Sequence, residues 1–291
     1  MATLVVGCGF LGLEVARRCV AAGEDVHATT RSTARAADFA RSGIVPVVAD
    51  VLHPASLANL PQVDRVFYAV GFDRSSGASM RDVYVQGLQN VLAALAGKTS
   101  RLVYASSTGV YSQHDGGWVD EDSPAEPTTE SGRVCLDAEN IARGWAAAND
   151  VSLTVLRYAG LYGPGRVVRR QALEAGEPIA ADPDSYLNMI HVDDAASAAV
   201  AALTAGSPGP LYLVCDDGPL PRGEYYRKAA TLLGAPPPVF VKPVPGPSRG
   251  RGDSNKRVSN RRVKAELGIS WTYPDVASGL IAALQPQDRE P

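Results

Sequence analysis

Gly7-Cys8-Gly9-Phe10-Leu11-Gly12 fits the spacing Gly-x-Gly-x-x-Gly, directly after the β-branched run Thr3–Val6 and at the head of a helical pattern. In that setting the first glycine permits a tight turn, the second lets backbone approach a pyrophosphate, and the third lets helix and strand pack closely. The N–H groups of the helix start, Phe10 and Leu11 included, and the helix dipole then face the phosphates. The next candidate is the end of the second β-run, Asp25-Val26-His27-Ala28-Thr29-Thr30-Arg31-Ser32. A site for NAD places an acid there to accept from the ribose 2′-hydroxyl. Here the position holds Thr30, followed by Arg31 and Ser32, a pair suited to a 2′-phosphate, with Arg35 in reserve. The reading is NADP over NAD; the bland alternative is that Arg31 only covers the adenine face. Asp50 and Val51 follow the third run, where adenine lies in such folds; Asp50 either accepts from the adenine amine or caps the segment leading to Leu57. Ala69, Val70 and Gly71 end the fourth run and are small enough to let a cofactor lie against backbone.

These residues need a scaffold that brings strand ends together. Thr3–Val6, Val26–Thr29, Val45–Val48, Arg65–Val70, Arg101–Ala105 and Leu153–Leu156 read as buried strands. Helical patterns over Phe10–Ala22, Ala34–Arg41, Ser79–Leu95 and Cys135–Ala148 separate them. This alternation predicts an α/β fold with a doubly wound parallel sheet of Rossmann type. Beyond Gly163-Pro164-Gly165 the rhythm changes. Val167–Ala175, Val192–Leu203 and Asn260–Leu267 read as helices, Pro210–Val214 as a strand, and Pro236–Pro247 as an irregular excursion. The expected division is a dinucleotide-binding domain over residues 1–163, with a return segment near 186–215. A smaller, interleaved substrate lobe takes residues 164–185 and 216–291.

Composition narrows the classes. The chain has 291 residues, 45% hydrophobic, with 28 Lys plus Arg against 31 Asp plus Glu and a net charge of −3. A dedicated nucleic-acid binder wants a positive excess, and the Ala-rich stretch Ala195–Ser207 is too short and too weakly apolar to span a bilayer. The start carries no basic and apolar leader pattern, and the spacings of Cys8, Cys19, Cys135 and Cys215 fit neither a zinc site nor a Cys-x-x-Cys pair, so a cytoplasmic, metal-free protein is expected. Arg249, Arg251, Lys256, Arg257, Arg261, Arg262 and Lys264 crowd 16 positions, either as a solvated face or as an anion site. The Arg251-Gly252-Asp253 tripeptide is read as coincidence.

Further motifs carry a resemblance. Gly87-Leu88-Gln89-Asn90-Val91-Leu92, Ser106-Ser107-Thr108-Gly109-Val110-Tyr111, Arg157-Tyr158-Ala159-Gly160-Leu161-Tyr162-Gly163-Pro164-Gly165 and Asn188-Met189-Ile190-His191-Val192-Asp193-Asp194 follow the fingerprint in order. Together they resemble the extended (atypical) short-chain dehydrogenase/reductase family of nucleotide-sugar epimerases and dehydratases, over almost the whole chain. The resemblance implies that Ser107 hydrogen-bonds a substrate oxygen and that Lys256 and Arg257 in the second lobe hold substrate phosphates. One motif departs from the family. Its catalytic Tyr-x-x-x-Lys aligns, through Ala138-Glu139, with Ser131 at the tyrosine and Cys135 at the lysine position. A serine hydroxyl is too weak an acid to replace the phenol, and a thiol cannot replace the ammonium. Tyr111, or a water, is the expected substitute acid; Tyr158, Tyr162 and Arg133 stand close in sequence to the same rim. The chain resembles most a sub-branch that lacks the pair. The expected function is an NADP-dependent oxidoreductase or epimerase/reductase on a small polar substrate, phosphorylated or nucleotide-sugar-like, with a homodimer left open. The alternative is a non-catalytic NAD(P)-binding sensor or assembly protein.

Overall fold

The computed structural model describes residues 1–242 and 254–285. Seven strands form one parallel sheet: β1 (Ala2–Val6), β2 (Asp25–Thr30), β3 (Val45–Val48), β4 (Arg65–Tyr68), β5 (Arg101–Ser107), β7 (Ser152–Tyr158) and β12 (Leu211–Val214). Between β5 and β7 lies the two-residue β6 (Trp118–Val119). The order is β12-β7-β5-β4-β1-β2-β3, so the winding reverses between β1 and β4, and the crevice beyond their carboxyl ends is where such sheets take ligands. Every expected strand is present; the inner ones, buried on both faces, need apolar residues throughout, whereas the edge strand β3 leaves Val45 and Val48 half exposed.

The period of two along the strands divides the core. Val5, Phe67, Val103, Leu156 and Leu213 face helices α1 (Phe10–Ala21) and α6 (Val192–Thr204). Leu4, Val6, Val66, Tyr68, Leu102 and Val155 face α3 (Gly87–Leu95) and α4 (Glu130–Ala148). The remaining crossover helix, α2 (Thr33–Arg41), packs Phe39 beside β2. Alanines at 195, 198, 199 and 202 are fully buried and keep α6 close to the sheet.

A third apolar cluster gathers Tyr162, Leu173, Met189, Tyr225, Ala229 and Leu280. It draws on α5 (Arg170–Glu174), α7 (Arg222–Leu233) and α9 (Val276–Leu284); α8 (Arg261–Leu267) packs Val263 into the first cluster instead. Short strand pairs stitch this half together: β8 (Gly160–Tyr162) with β11 (Met189–His191), β9 (Ile179–Ala180) with β14 (Phe240–Val241), β10 (Tyr186–Leu187) with β13 (Leu220–Pro221), and β6 with β15 (Arg257–Val258). The last pair carries the chain around Lys256 back beside the loop after β5.

Three helices depart from expectation by three residues or more. The helix expected from Cys135 begins five residues earlier, at Glu130, because Thr129 caps it by accepting from Gly132 N–H at 3.1 Å. The helix expected over Val167–Ala175 shrinks to α5, since Arg169 adopts a left-handed φ of 59° just before it. The segment Ser79–Leu95 opens with a π-helical turn over Asp82–Gln86 before α3. Arg249, Arg251 and the Arg251-Gly252-Asp253 tripeptide lie outside the described residues, as does part of Pro236–Pro247.

Candidate active site

The fingerprint loop is shaped by close approach. Gly7 has φ of 88°, and a Cβ there would stand 2.5 Å from Val70 N and 2.6 Å from Ala69 C. The loop therefore touches the backbone that ends β4, the small-residue segment expected to line a cofactor. At Gly12 a Cβ would come within 2.4 Å of Gly7 O, so helix and loop meet there. Gly9 differs: nothing lies within 4 Å of its Cβ position. It is the N-cap of α1 without a side-chain acceptor, and the first helical bond runs from Leu13 N–H to Gly9 O at 2.9 Å. The N–H groups of Phe10 and Leu11 thus come ahead of the helix ladder, beside open space. That is the cradle a pyrophosphate needs.

At the adenosine end Arg31 is exposed and its Nη2 lies 3.5 Å from Asp73 Oδ2. Asp73, which arrives from the loop after β4, 42 residues away in sequence, thus stands beside the arginine expected to meet a 2′-phosphate. Ser75, through its hydroxyl and its amide, holds the Asp73 carboxyl below the usual range, with Arg31 a smaller contributor. Both side chains are about half exposed, so solvent screens the pair. Ser32 accepts from Arg35 N–H at 3.3 Å as the N-cap of α2, and its own proton remains to donate. Arg35 donates to Cys8 O at 2.8 Å, which ties α2 to the fingerprint. Asp50 accepts from Leu52 N–H at 2.9 Å and lies 3.2 Å from His53 Nδ1. It braces a turn; the N-cap position of the short helix Pro54–Leu57 is His53, whose side chain makes no capping bond. The Val51 carbonyl accepts from Asn90 Nδ2 at 2.9 Å.

Beyond β5 a cleft of about 270 Å³ is lined by Ser107, Ser131, His114, Asn188, Arg222 and Lys256, among others. Ser107 caps the 3₁₀ turn Thr108–Val110 by accepting from Gly109 N–H at 3.1 Å. Its hydroxyl proton has no acceptor among the described residues and is available to a substrate oxygen. Ser131 reaches the same cleft because Gly132 has no side chain: a Cβ there would stand 2.6 Å from Gly109 O and 2.7 Å from Pro127 Cβ. The first turn of α4 therefore lies against the turn that follows Ser107. Cys135, one turn further, is half-buried, packs against the apolar core and is not among the residues lining the cleft.

The expectation for Tyr111 is corrected. Its side chain is buried, and its hydroxyl accepts from Arg157 Nη1 at 2.7 Å and donates to Asp120 O at 2.9 Å. Burial also raises its pKa, against the opposing pull of Arg157. A phenol so engaged has no proton to give to a substrate in the cleft. Tyr158 donates to Ala195 O within the core, and the Tyr162 hydroxyl is buried; burial raises both pKa values. Arg133 is held by Thr128 O at 2.8 Å. Behind the cleft Arg157 Nε and Nη2 hold Glu139 in a fork at 2.9 and 2.7 Å, and Ser106 donates to the same carboxylate at 2.6 Å. His191 caps α6, accepting from Asp193 N–H at 3.3 Å, while Asp194 accepts from Thr272 and Tyr273 N–H, both at 2.8 Å, and so fastens the C-terminal segment instead of capping its own helix.

Lys256 and Arg257, paired in the sequence reading, separate here. Lys256 is buried in the cleft wall and donates from Nζ to Tyr111 O at 2.9 Å. Burial, and secondarily Arg222, pulls its ammonium pKa down to about 8. Arg257 is a correction: it is not among the residues lining the cleft, donates to Gly116 O at 2.8 Å, and its guanidinium lies 5.1 Å from the Trp118 ring centre and 5.0 Å from that of Tyr186. It clamps β15 to β6. Arg222 and Asn188 are cleft residues that sequence reasoning missed. Pro221 before α7 and left-handed Gly234 after it are start and stop signals that locate Arg222.

Residues 3–215 match the NAD dependent epimerase/dehydratase family. The chain belongs to that family. Its relatives include protein YeeZ of Escherichia coli (strain K12), 30% identical over 277 residues, 93% of this chain and 96% of that protein. A 3-diazoavenalumate denitrifying reductase of Streptomyces sp is 28% identical, covering 96% of this chain and 99% of that one. Among solved structures, a functionally unknown conserved protein from Silicibacter pomeroyi DSS superposes with a TM-score of 0.79 at 32% identity, with 97% of each chain covered. A Bacillus cereus UDP-glucuronic acid 4-epimerase in complex with UDP-glucuronic acid and NAD shares the fold, with a TM-score of 0.81 at 20% identity over 97% of this chain and 98% of that one. As a member of an NAD-dependent family, the chain has a cradle at Gly9 that fits the cofactor. Among the described residues, no group of side chains could hold a metal ion and no helix is long and apolar enough to cross a membrane.

Proposed function

We propose that the protein is an NADP-dependent oxidoreductase whose small polar substrate lies in the cleft between the sheet and the smaller substrate lobe. One observation carries the reading: Ser107, Ser131 and Lys256, from three separate parts of the chain, converge on one cavity at the carboxyl end of β5. The reductase among the full-length relatives supports reduction over epimerisation. The bound dinucleotide supplies hydride chemistry. The residues of the chain bind and orient: Ser107 donates its free hydroxyl proton to a substrate oxygen, Ser131 lines the wall opposite, and Lys256 presents an ammonium. Arg31 and Ser32 hold the 2′-phosphate. The exposed Asp73 carboxylate is displaced from Arg31 by that more highly charged partner.

NADPH binds more tightly than NADH on this reading. Arg31→Ala lowers NADPH affinity by roughly 10- to 100-fold, the weight of a hydrogen bond to a charged group, and leaves NADH affinity nearly unchanged. Calorimetric titration of both cofactors checks this; equal affinities in the parent protein sink the NADP assignment. Ser107→Ala costs roughly 10²-fold in turnover in a spectrophotometric assay of NADPH consumption, with cofactor affinity retained.

The second reading, a dinucleotide sensor without catalysis, is favoured by one specific observation. Neither Ser131 nor Cys135 can act as the family's proton relay; Tyr111, Tyr158 and Tyr162 are buried, and the Tyr111 hydroxyl is held by Arg157 and Asp120 O. Absence of NADPH oxidation across a panel of aldehydes, ketones and sugar nucleotides, with tight NADPH binding intact, would select it.

A further inference from the structure

We propose that Lys256 seats a carboxylate, so that the ligand of the cleft is a small organic acid and not a nucleotide diphosphate sugar. The inference rests on the reading of this cleft as the substrate site. Lys256 enters from the second half of the chain, and its Nζ ends on Tyr111 O, directly beyond the 3₁₀ turn capped by Ser107. An ammonium has three donors. One is satisfied by Tyr111 O, and among the described residues no carboxylate pairs with Lys256. A buried cation without a counter-charge is costly, and an anion brought in by a ligand removes that cost.

The remaining two donors and single charge match a carboxylate, which offers two oxygens and one charge. A diphosphate demands more. The second cation of the cleft wall, Arg222, is engaged: its Nε donates to Ser185 Oγ at 2.8 Å and its Nη2 reaches Ser254 O at 3.4 Å. The cavity, about 270 Å³, lies below the range of roughly 300–1,000 Å³ usual for drug-sized ligands. It suits a compact acid whose other polar atoms meet Ser107 and Ser131.

The charge of the seat depends on pH. The ionisable groups facing it are Arg222 on α7, His114 and Tyr111 from the loop after β5, and Tyr186 from β10. Arg222 has the same sign and, after burial, is the second cause of the lowered Lys256 pKa of about 8. The ammonium is charged below that pH and loses its proton as pH rises through it, so acid binding weakens in the alkaline limb. A titration from about pH 7 to about pH 9.5 brackets that value on both sides.

Titration calorimetry on the full chain, with and without saturating NADP⁺, provides the test. The probes are benzoate, pyruvate and hexanoate, with benzamide as the neutral control and UDP-glucose as the diphosphate control. At least one acid is expected to bind, benzamide to bind roughly 10-fold or more weakly than benzoate, and UDP-glucose not to compete. Lys256→Met is expected to lose roughly 10-fold or more in acid affinity, Lys256→Arg to retain most of it, and both to bind NADP⁺ like the parent. If Lys256→Met does not fold, the alkaline loss of acid affinity in the parent protein decides. Failure of every acid, equal binding of benzoate and benzamide, an unchanged Lys256→Met, or tighter binding of UDP-glucose than of any acid overturns the proposal. Failure to bind NADP⁺, by contrast, overturns the enzymatic reading, and the cofactor-free titrations still decide the role of Lys256.

Discussion

Gly9→Val is expected to abolish NADP(H) binding and leave the fold unchanged. Unlike Gly7 and Gly12, the position has nothing within 4 Å of the point a Cβ would occupy, so a side chain there starts into open space in the free protein. It then fills the space in which a pyrophosphate would meet the N–H groups of the α1 start. Gly7 and Gly12 make poorer tests, since a Cβ at either collides with backbone and loss of binding would be mixed with loss of structure. Circular dichroism and thermal denaturation report the fold, and calorimetry the cofactor. A folded Gly9→Val protein that binds NADPH as the parent does places the dinucleotide elsewhere.

Arg157→Met is expected to lower the free energy of unfolding by roughly 3–5 kcal/mol, the range for removing one partner of a buried ion pair. Arg157 is 5% and Glu139 0% exposed, so the fork between them has little access to water. Without Arg157 the Glu139 carboxylate keeps Ser106 and a more distant contact, Arg143 at 3.6 Å, and the Tyr111 hydroxyl loses a donor. Changing Glu139→Gln together with Arg157→Met removes the stranded charge, so the double variant should be more stable than Arg157→Met alone. Chemical denaturation of the parent and the variants measures both values. A loss under about 1 kcal/mol for Arg157→Met would mean that the network behaves as a surface pair.

The parallel sheet was legible because its inner strands are buried on both faces and read as apolar runs such as Leu4-Val5-Val6 and Leu102-Val103. The Gly7–Gly12 loop was legible because Gly7 and Gly12 answer to close backbone contacts and Gly9 to the open space ahead of the helix. Side-chain direction was not. Tyr111 follows Ser107 by four residues, as a substitute acid should, but Arg157, 46 residues later in sequence, draws its hydroxyl into the core. Lys256 and Arg257 look equivalent as neighbours in a basic run. Pleating in β15 sends Arg257 onto Trp118 and Tyr186 while Lys256, just ahead of the strand, turns into the cleft. Asp73 was invisible as a partner of Arg31 because only the fold brings the loop after β4 beside the end of β2. The start of α4 was missed because Gly132 lowers helix propensity. The same glycine is what lets Ser131 approach the turn after Ser107.

The central claim is that one dinucleotide runs from Arg31, across the Gly9 cradle, to the cleft of Ser107, Ser131 and Lys256. A crystal structure of the protein with NADP⁺ tests it most directly. The predicted result is the 2′-phosphate within hydrogen-bond distance of Arg31 and Ser32, the pyrophosphate on the N–H groups at the start of α1, and the nicotinamide at the mouth of that cleft. A nicotinamide pointing away from Ser107, or a 2′-phosphate in solvent with Arg31 still on Asp73, would contradict it.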